Sequence, residues 1–269
     1  MSAGKVLLIS TSYRGKLGEA LTGSWAEEVA TPCFTWRERG FTVDLFSITG
    51  GEIFFDPNST SGDFCTPEAK SFLEGEETAT LYKSTKSIAD LSDADLETYD
   101  AVFIAGGHGI MFDGPDSSAL KHILEFFTSK GKIVSAVCHG PCGLLADAPL
   151  LKGKRVTGFT NSEEKAVGKE NDVPYSLEDR LKESGAEFEL GPDWGSHVVV
   201  DGKLITGQNP QSSLAVAEAV SDAILPGIAP QHGKGPNEGF HRRDHPVTHE
   251  HHEHGDDKTP EHPQVRIHT

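Results

Sequence analysis

Short apolar runs alternate with helical patterns along most of this chain, and no other feature of the sequence constrains the fold as strongly. Four of these runs are predicted to be buried strands, at residues 5–10, 41–47, 100–107 and 132–137. Strands that alternate with helices form βαβ units, in which a helix connects two parallel strands. The sequence therefore predicts an α/β fold built around a mostly parallel sheet.

Further elements are predicted between and after these strands. We expect an irregular insertion at 56–98, which is rich in Pro, Asn, Gly and Ser and contains one helical run at 67–73. Residues 197–207 are predicted to form a hairpin, because they contain an Asp-Gly dipeptide that favours a tight turn. The other helical patterns cover 25–39, 117–129, 175–184 and 210–225. Pro32 is expected to kink or divide the first of these helices.

The charge balance of the chain limits its partners. The 269 residues include 24 Lys and Arg against 41 Asp and Glu, for a formal net charge of −17. Because Lys and Arg make the contacts to phosphate groups, we expect neither nucleic acid nor an anionic membrane surface as a partner. The chain has no run of about 18 apolar residues and its first residues do not resemble a secretory signal, so a cytoplasmic location is expected.

The composition changes after Pro226, where large apolar side chains become rare. Such a segment buries too little apolar surface to offset the entropy cost of ordering it. We therefore predict a catalytic domain over 1–228 and a disordered, histidine-rich tail over 229–269. The HEHHEH run at 249–254 could bind a metal ion adventitiously or act as a solubilising extension, and the sequence leaves both open.

One cysteine lies where an enzyme would place a nucleophile. Cys138 follows the predicted strand at 132–137, and the small residues Ala136 and Gly140 flank it with the spacing of a nucleophile elbow. A helix starting near Pro141 would direct its N-terminal amides toward the sulfur and favour the thiolate. The alternative is an inert packing residue, since free cysteines are often buried. The other three cysteines, Cys33, Cys65 and Cys142, are expected to be structural or incidental.

Four motifs together resemble a known group of proteins. They are AVCHGP, AGGHG, WAEEVATP and GFTNSEE, and the resemblance covers residues 5–225. The chain is similar to the ThiJ/PfpI superfamily, which is class I glutamine amidotransferase-like, and within it to the heat-shock chaperone-like glyoxalase III (D-lactate dehydratase) branch. The resemblance implies a flavodoxin-like three-layer sandwich whose mostly parallel sheet carries a nucleophile elbow.

The resemblance also implies roles for individual side chains. Cys138 would be the nucleophile, His139 would be a proton carrier, and Glu28 would donate a hydrogen bond to the sulfur. Burial and a neighbouring negative charge would raise the pKa of Glu28 toward neutrality. An acidic residue would orient His139, and GFTNSEE offers Glu164 as the first assignment and Glu163 as the alternative.

AGGHG is the motif to which the resemblance assigns substrate binding. Gly106 and Gly107 would let the backbone approach a substrate oxygen, with the N–H groups of Gly107 and His139 forming an oxyanion hole. His108 is included among the candidate substrate-binding residues. The three tryptophans, Trp25, Trp36 and Trp194, could line a pocket, but core packing is the expected role of each.

The function implied by the resemblance is a glutathione-independent glyoxalase. Such an enzyme converts methylglyoxal to lactate through a hemithioacetal on Cys138, with no cofactor and no metal. Its partners would be a small dicarbonyl substrate and a second copy of the chain in a homodimer. The alternatives are a holding chaperone, a deglycase that uses the same residues, and a cysteine peptidase or amidotransferase.

Overall fold

The computed structural model of the protein describes residues 1–225, and these residues confirm the α/β class with a mostly parallel sheet. The strands of this part of the chain are β1 Lys5–Ser10, β2 Gly15–Leu17, β3 Ala20–Thr22, β4 Thr42–Ser47, β5 Lys86–Ser87, β6 Ala101–Ile104, β7 Ile133–Val137, β8 Arg155–Val156, β9 Glu187–Phe188, β10 Val198–Asp201 and β11 Leu204–Gly207. Seven of them form the main sheet in the order β10-β11-β7-β6-β1-β4-β5. Every neighbouring pair in it is parallel except β10 and β11, which form the predicted hairpin.

Helices connect these strands. The α-helices among residues 1–225 are α1 Ala26–Glu38, α2 Pro57–Thr60, α3 Pro67–Glu74, α4 Glu76–Lys83, α5 Asp93–Glu97, α6 Ile110–Asp113, α7 Ser118–Ser129, α8 Asn161–Ala166, α9 Leu177–Glu183 and α10 Ser213–Ile224. Short 3-10 segments occur at Gly62–Phe64, Ile88–Asp90, Gly140–Leu151 and Pro210–Ser212. Four of the helices, α2, α3, α4 and α5, belong to the predicted insertion, which is therefore more helical than its composition suggests.

The centre of the sheet is covered on both faces. All four residues of β6 and all five of β7 are buried, as are five of the six in β1. Because successive side chains of a strand point to opposite faces, continuous burial requires a helical layer on each side. One contact within a layer joins α1 to α10, where Trp36 Nε1 donates to the carbonyl of Ala217 at 2.9 Å. The layered arrangement thus agrees with the predicted sandwich.

Some local predictions were wrong. Pro32 does not divide helix α1, which continues through it as one helix. Pro32 is buried in that helix, and tertiary packing of this kind routinely overrides a local preference. Two small two-stranded sheets, β2 with β3 and β8 with β9, were not predicted, because strands of two or three residues are too short to produce a periodic pattern.

The sheet register brings the site residues together. Ile9 pairs with Ile104, and Ile104 pairs with Ala136, so the carboxyl ends of β1, β6 and β7 lie side by side. The residues that follow these strands share one edge of the sheet, where open α/β folds bind ligands. Within residues 1–225 we find no helix long and apolar enough to cross a membrane. The predicted domain boundary at 228 and the histidine-rich tail lie outside the described residues.

Candidate active site

Cys138 occupies the predicted elbow. Its φ is +61°, in the left-handed region that non-glycine residues rarely adopt, and its backbone N–H donates to the carbonyl of Gly207 at 3.0 Å. The turn also needs a small residue at Gly140, because a Cβ there would lie 2.2 Å from the carbonyl oxygen of Ile104. The segment that follows is a 3-10 run, Gly140–Leu151, interrupted at Asp147, and not the α-helix expected near Pro141.

His139 lies between the sulfur and a carboxylate. Its Nδ1 is 3.6 Å from Cys138 Sγ, and its Nε2 is 2.7 Å from Glu164 Oε2. The second oxygen of Glu164 is 2.5 Å from His108 Nε2. All four side chains are buried, and the two imidazole rings lie 4.1 Å apart. The structure therefore brings Cys138, His139 and Glu164 into one continuous chain of contacts, with His108 attached to its end.

The charges in this chain of contacts define the protonation of His139. Burial would raise the pKa of Glu164, but the two histidines outweigh burial and hold that pKa well below its usual range. As a carboxylate, Glu164 can only accept hydrogen bonds, so both Nε2 atoms must donate to it. Burial, followed by the neighbouring His108, lowers the pKa of His139 against the opposing pull of Glu164. A neutral His139 that donates through Nε2 directs the lone pair of Nδ1 toward the sulfur.

Glu28 approaches the sulfur from helix α1. It is fully buried, and its Oε1 accepts a hydrogen bond from the backbone N–H of Gly106 at 2.9 Å. Burial raises the pKa of Glu28 well above its usual value, as predicted, while the Gly106 N–H and the Cys138 thiol lower it in part. Within the described part of the chain, residues 1–225, no group meets hydrogen-bond geometry at Oε2 of Glu28. A carboxyl with a raised pKa keeps its proton to higher pH than an ordinary glutamate, so Glu28 beside Cys138 is placed to act as a proton donor.

The sulfur of Cys138 differs from the sequence expectation. Burial, and then the negative charges of Glu28 and Glu163, raises the pKa of the Cys138 thiol well above its usual value. The backbone N–H of His139 opposes this effect without reversing it. The predicted stabilisation of the thiolate was therefore wrong, because desolvation outweighs the nearby amide dipoles. The resting sulfur is a thiol, and it needs a base when it attacks.

The backbone N–H groups of the two glycines in AGGHG have different roles. The Gly106 N–H donates to Glu28, so it positions this carboxyl and is not free for a substrate oxygen. A Cβ at Gly106 would lie 2.5 Å from Glu28 Oε1 and 2.7 Å from the N atom of His139, so only glycine fits. Among residues 1–225, no hydrogen bond uses the N–H of Gly107. It remains the candidate oxyanion donor with the N–H of His139.

Two further candidates have positions that the sequence did not resolve. His108 was included among the substrate-binding residues, yet its Nε2 is bonded to Glu164. Glu163 was the alternative to Glu164, and its carboxylate makes its hydrogen bonds to groups other than His139. It accepts from Gln208 Nε2 at 3.1 Å and from Asn209 Nδ2 at 3.0 Å. The contact with His139 is made by Glu164.

Sequence reasoning missed an aromatic border to the site. The ring of Phe159 lies 4.5 Å from that of His139 and 5.8 Å from that of Trp194. Trp36 has the expected core position, whereas Trp25 and Trp194 are only partly buried beside the site. The signal for Phe159 was its place inside GFTNSEE, two residues before the helix that carries Glu164. The partners of these rings are distant in sequence and produce no pattern.

The same cluster contains atoms that metals bind. The donor atoms of His108, His139 and Glu164 lie within 4.8 Å of one another, and imidazole nitrogen with carboxylate oxygen is a common zinc ligand set. In the structure these atoms are joined by the two short hydrogen bonds described above. The histidine-rich run at 249–254 lies outside the described residues.

Two relatives named as glyoxalases match most of this chain. It is 34% identical over 233 residues to glyoxalase 3 of Candida albicans, covering 82% of this chain and 98% of that protein. It is 32% identical over 238 residues to the glutathione-independent glyoxalase HSP31 of Saccharomyces cerevisiae, covering 83% of this chain and 99% of that protein.

A crystal structure extends the likeness to the fold. Glyoxalase III from Candida albicans superimposes with a TM-score of 0.73 at 34% identity, covering 82% of this chain and 97% of that one. The sequence pattern of the DJ-1/PfpI family matches residues 21–223, a range that includes the elbow and all of the candidate site residues. With this match and these relatives, the chain belongs to the DJ-1/PfpI family.

Proposed function

We propose that the protein is a glutathione-independent glyoxalase that converts methylglyoxal and water to lactate. The observation that carries the proposal is the position of Cys138 between two proton-handling groups, the buried Glu28 carboxyl and His139 Nδ1 at 3.6 Å. The relatives named as glutathione-independent glyoxalases, which match this chain over most of their length, support the same activity.

The reaction begins with addition to the aldehyde. The Cys138 thiol transfers its proton to His139 Nδ1 as the sulfur forms a bond to the aldehyde carbon, and the carbonyl oxygen takes a proton to complete a hemithioacetal. A neutral His139 is the form required for this step, and the carboxylate of Glu164 stabilises the imidazolium as it forms. The raised pKa of Cys138 disfavours a permanent thiolate, so His139 removes the thiol proton only as the sulfur attacks.

Two proton transfers then isomerise the adduct. In the first, a base removes the proton from the carbon bound to sulfur and the neighbouring carbonyl oxygen is protonated, which gives an enediol. In the second, the hydroxyl on the sulfur-bound carbon loses a proton and the neighbouring carbon gains one, which gives a lactoyl thioester. Glu28 and His139 are the groups placed to move these protons, and proton transfer by a positioned side chain contributes roughly 10²–10⁴-fold to rate. No net oxidation occurs, because one carbon is oxidised as its neighbour is reduced.

Hydrolysis completes the cycle. Water adds to the thioester carbonyl, the carbon–sulfur bond breaks, and the sulfur regains a proton as lactate leaves. Negative charge develops on the substrate oxygen in the addition steps, and the N–H groups of Gly107 and His139 are the candidate donors for it. One such donor contributes about 2.7–4 kcal/mol in a well-studied protease.

We propose D-lactate as the product, which makes the enzyme a cysteine-dependent lyase of the D-lactate dehydratase type. We also propose that it acts in the cytoplasm as a homodimer, in detoxification and stress response. Chiral analysis of the lactate tests the first statement, and light scattering of the purified full chain at several concentrations tests the dimer.

The decisive experiment measures glutathione-free consumption of methylglyoxal. Wild type is compared with Cys138→Ala and Glu28→Gln, and Cys65→Ala provides a matched control, because Cys65 is partly exposed and lies outside the site. We expect turnover in wild type and Cys65→Ala and its loss in the other two. Full turnover in Cys138→Ala would refute the proposed chemistry, provided that its thermal unfolding shows a folded protein.

A further inference from the structure

Four aromatic side chains form a continuous border along one side of the site. The ring centroids of Trp25 and Phe64 are 5.8 Å apart, those of Phe64 and Trp194 are 6.2 Å apart, and those of Trp194 and Phe159 are 5.8 Å apart. The ring of Phe159 in turn lies 4.5 Å from that of His139. We call these four residues the aromatic arc.

Both ends of the aromatic arc adjoin groups that act on the substrate. Trp25 is the residue before helix α1, and its carbonyl accepts from the N–H of Glu28 at 3.2 Å. At the other end, the N–H of Phe159 donates to the carbonyl of Cys138 at 2.8 Å. The arc therefore extends from the helix that carries the proton donor to the imidazole beside the nucleophile.

Three members of the arc keep part of their surface accessible. Trp25, Phe64 and Trp194 are each of intermediate exposure, whereas Phe159 is 5% exposed. The four residues come from segments far apart in sequence, including the 3-10 turn of the insertion that carries Phe64. Partly accessible aromatic surface beside a few convergent polar groups is the usual lining of a small-molecule site.

Trp194 adopts a backbone conformation that requires support. Its φ is +62°, a region that costs energy for any residue with a Cβ. Its N–H donates to Glu163 Oε2 at 3.0 Å. Asn209 Nδ2 links the same carboxylate oxygen, at 3.0 Å, to the carbonyl of Gly195, at 2.7 Å. The turn that presents the Trp194 ring is thus tied to one carboxylate.

Glu163 supplies the carboxylate that holds the turn of Trp194. It is 0% exposed and accepts from the side chain of Gln208, and from the backbone N–H and hydroxyl of Thr160. A buried carboxylate with this many donors has a fixed orientation. Glu163 makes no hydrogen bond to His139 or the sulfur. Its charge raises the pKa of Cys138 for either aldehyde alike, so an effect of Glu163 that distinguishes two aldehydes acts through Trp194.

We propose that the aromatic arc binds the substituent of the 2-oxoaldehyde and gives the enzyme a preference for apolar, aromatic substituents. Glu163 is the positioning residue for Trp194 in this arc. The proposal rests on the proposed glyoxalase function. The substrate class is then 2-oxoaldehydes of the type R–CO–CHO in which R is larger than methyl. The product of each is the corresponding 2-hydroxy acid, formed with one water and no oxidant.

The test compares kcat/KM for phenylglyoxal with kcat/KM for methylglyoxal in the full chain. Trp194→Ala and Phe64→Ala each remove one ring from the arc, and both should lower the phenylglyoxal-to-methylglyoxal ratio roughly 3- to 10-fold, mainly through KM for phenylglyoxal, as expected for one lost aromatic contact. Glu163→Gln should lower the ratio in the same direction, since an amide cannot accept from all of these donors.

Two matched controls accompany these variants. Phe126→Ala removes a partly buried ring from helix α7, outside the arc, and Glu170→Gln neutralises an exposed carboxylate near Glu163 in sequence. Both should keep the wild-type ratio. If both Trp194→Ala and Phe64→Ala turn over both aldehydes with an unchanged ratio, the role of the arc is overturned and the proposed glyoxalase function is unaffected. Wild type that turns over neither aldehyde would instead overturn the proposed function.

Discussion

His139 is hydrogen-bonded through Nε2 to Glu164 at 2.7 Å, and this contact leaves Nδ1 directed toward the sulfur of Cys138. The carboxylate therefore selects the tautomer in which His139 can accept the thiol proton. Because Glu164 also binds His108, at 2.5 Å, its orientation is held from two sides. An imidazole adjacent to the nucleophile in sequence becomes a usable base through a carboxylate 25 residues away.

Replacement of Glu164 by glutamine should remove this control. The amide can accept from one histidine and must present its NH₂ to the other, so the tautomer of His139 is no longer imposed. We expect kcat for methylglyoxal to fall about 10³–10⁴-fold, by analogy with loss of the orienting carboxylate in a serine protease. Steady-state kinetics measure this, and Glu170→Gln should keep wild-type kcat. Undiminished kcat in Glu164→Gln would contradict the assigned role.

The pH dependence should report the environment of His139. Burial and the neighbouring His108 lower its pKa, so the neutral form required for the first step persists below the ordinary imidazole value of about 6.5. We expect the acidic limb of the kcat/KM profile to lie below that value. His108→Asn removes one of the lowering influences and should move this limb to higher pH. A shift to lower pH would show that His108 acts otherwise.

Glu28 should make the stability of the protein depend on pH. Burial raises its pKa in the folded state, so the folded protein retains a proton that the unfolded chain releases as the pH increases above the usual carboxyl range. Wild type should therefore lose stability relative to Glu28→Gln as the pH increases from the usual carboxyl range toward neutrality, because the variant has no such proton to retain. The melting temperatures of both proteins across this interval measure the effect. Parallel pH curves for the two proteins would argue against a buried, protonated Glu28.

The thiol of Cys138 should react slowly with alkylating agents at neutral pH. Burial raises its pKa first, and the negative charge of Glu28 raises it further. Glu28 carries that charge only at the raised pH at which it ionises. Glu28→Gln never carries it, so the rise of the Cys138 alkylation rate with pH should begin at lower pH in this variant. Mass spectrometry of iodoacetamide-treated protein measures the rate at this cysteine. Rapid alkylation of wild-type Cys138 at low pH would contradict a raised pKa and support the thiolate predicted from the sequence.

Any residue with a Cβ at position 138 should have a strained backbone. Its φ of +61° costs roughly 1–2 kcal/mol for non-glycine residues, so Cys138→Gly should unfold at a higher temperature than Cys138→Ala. Cys33 lies in helix α1, where the order should reverse, and Cys33→Gly should be less stable than Cys33→Ala by about 1 kcal/mol. The same order at both positions would mean that the elbow stores no backbone strain.

Much of the fold could be predicted because its signals are local. The apolar runs that became β1, β4, β6 and β7 each carry their own pattern, and the hairpin of β10 and β11 has an Asp-Gly turn in which Gly202 has φ +61°. Position 138 was identified for the same reason, since small residues on both sides of a nucleophile are adjacent in sequence. Local conformation depends mainly on neighbouring residues, so the sequence alone determined the class of fold and the location of the elbow.

Only the tertiary structure decided which groups meet and what charge they carry. Glu163 and Glu164 are neighbours with the same side chain, yet one anchors the turn of Trp194 and the other contacts His139. Likewise, Cys138 follows the predicted pattern, but burial reversed the expected direction of its pKa. Contacts and desolvation depend on residues brought together from distant segments, and no stretch of sequence encodes them on its own.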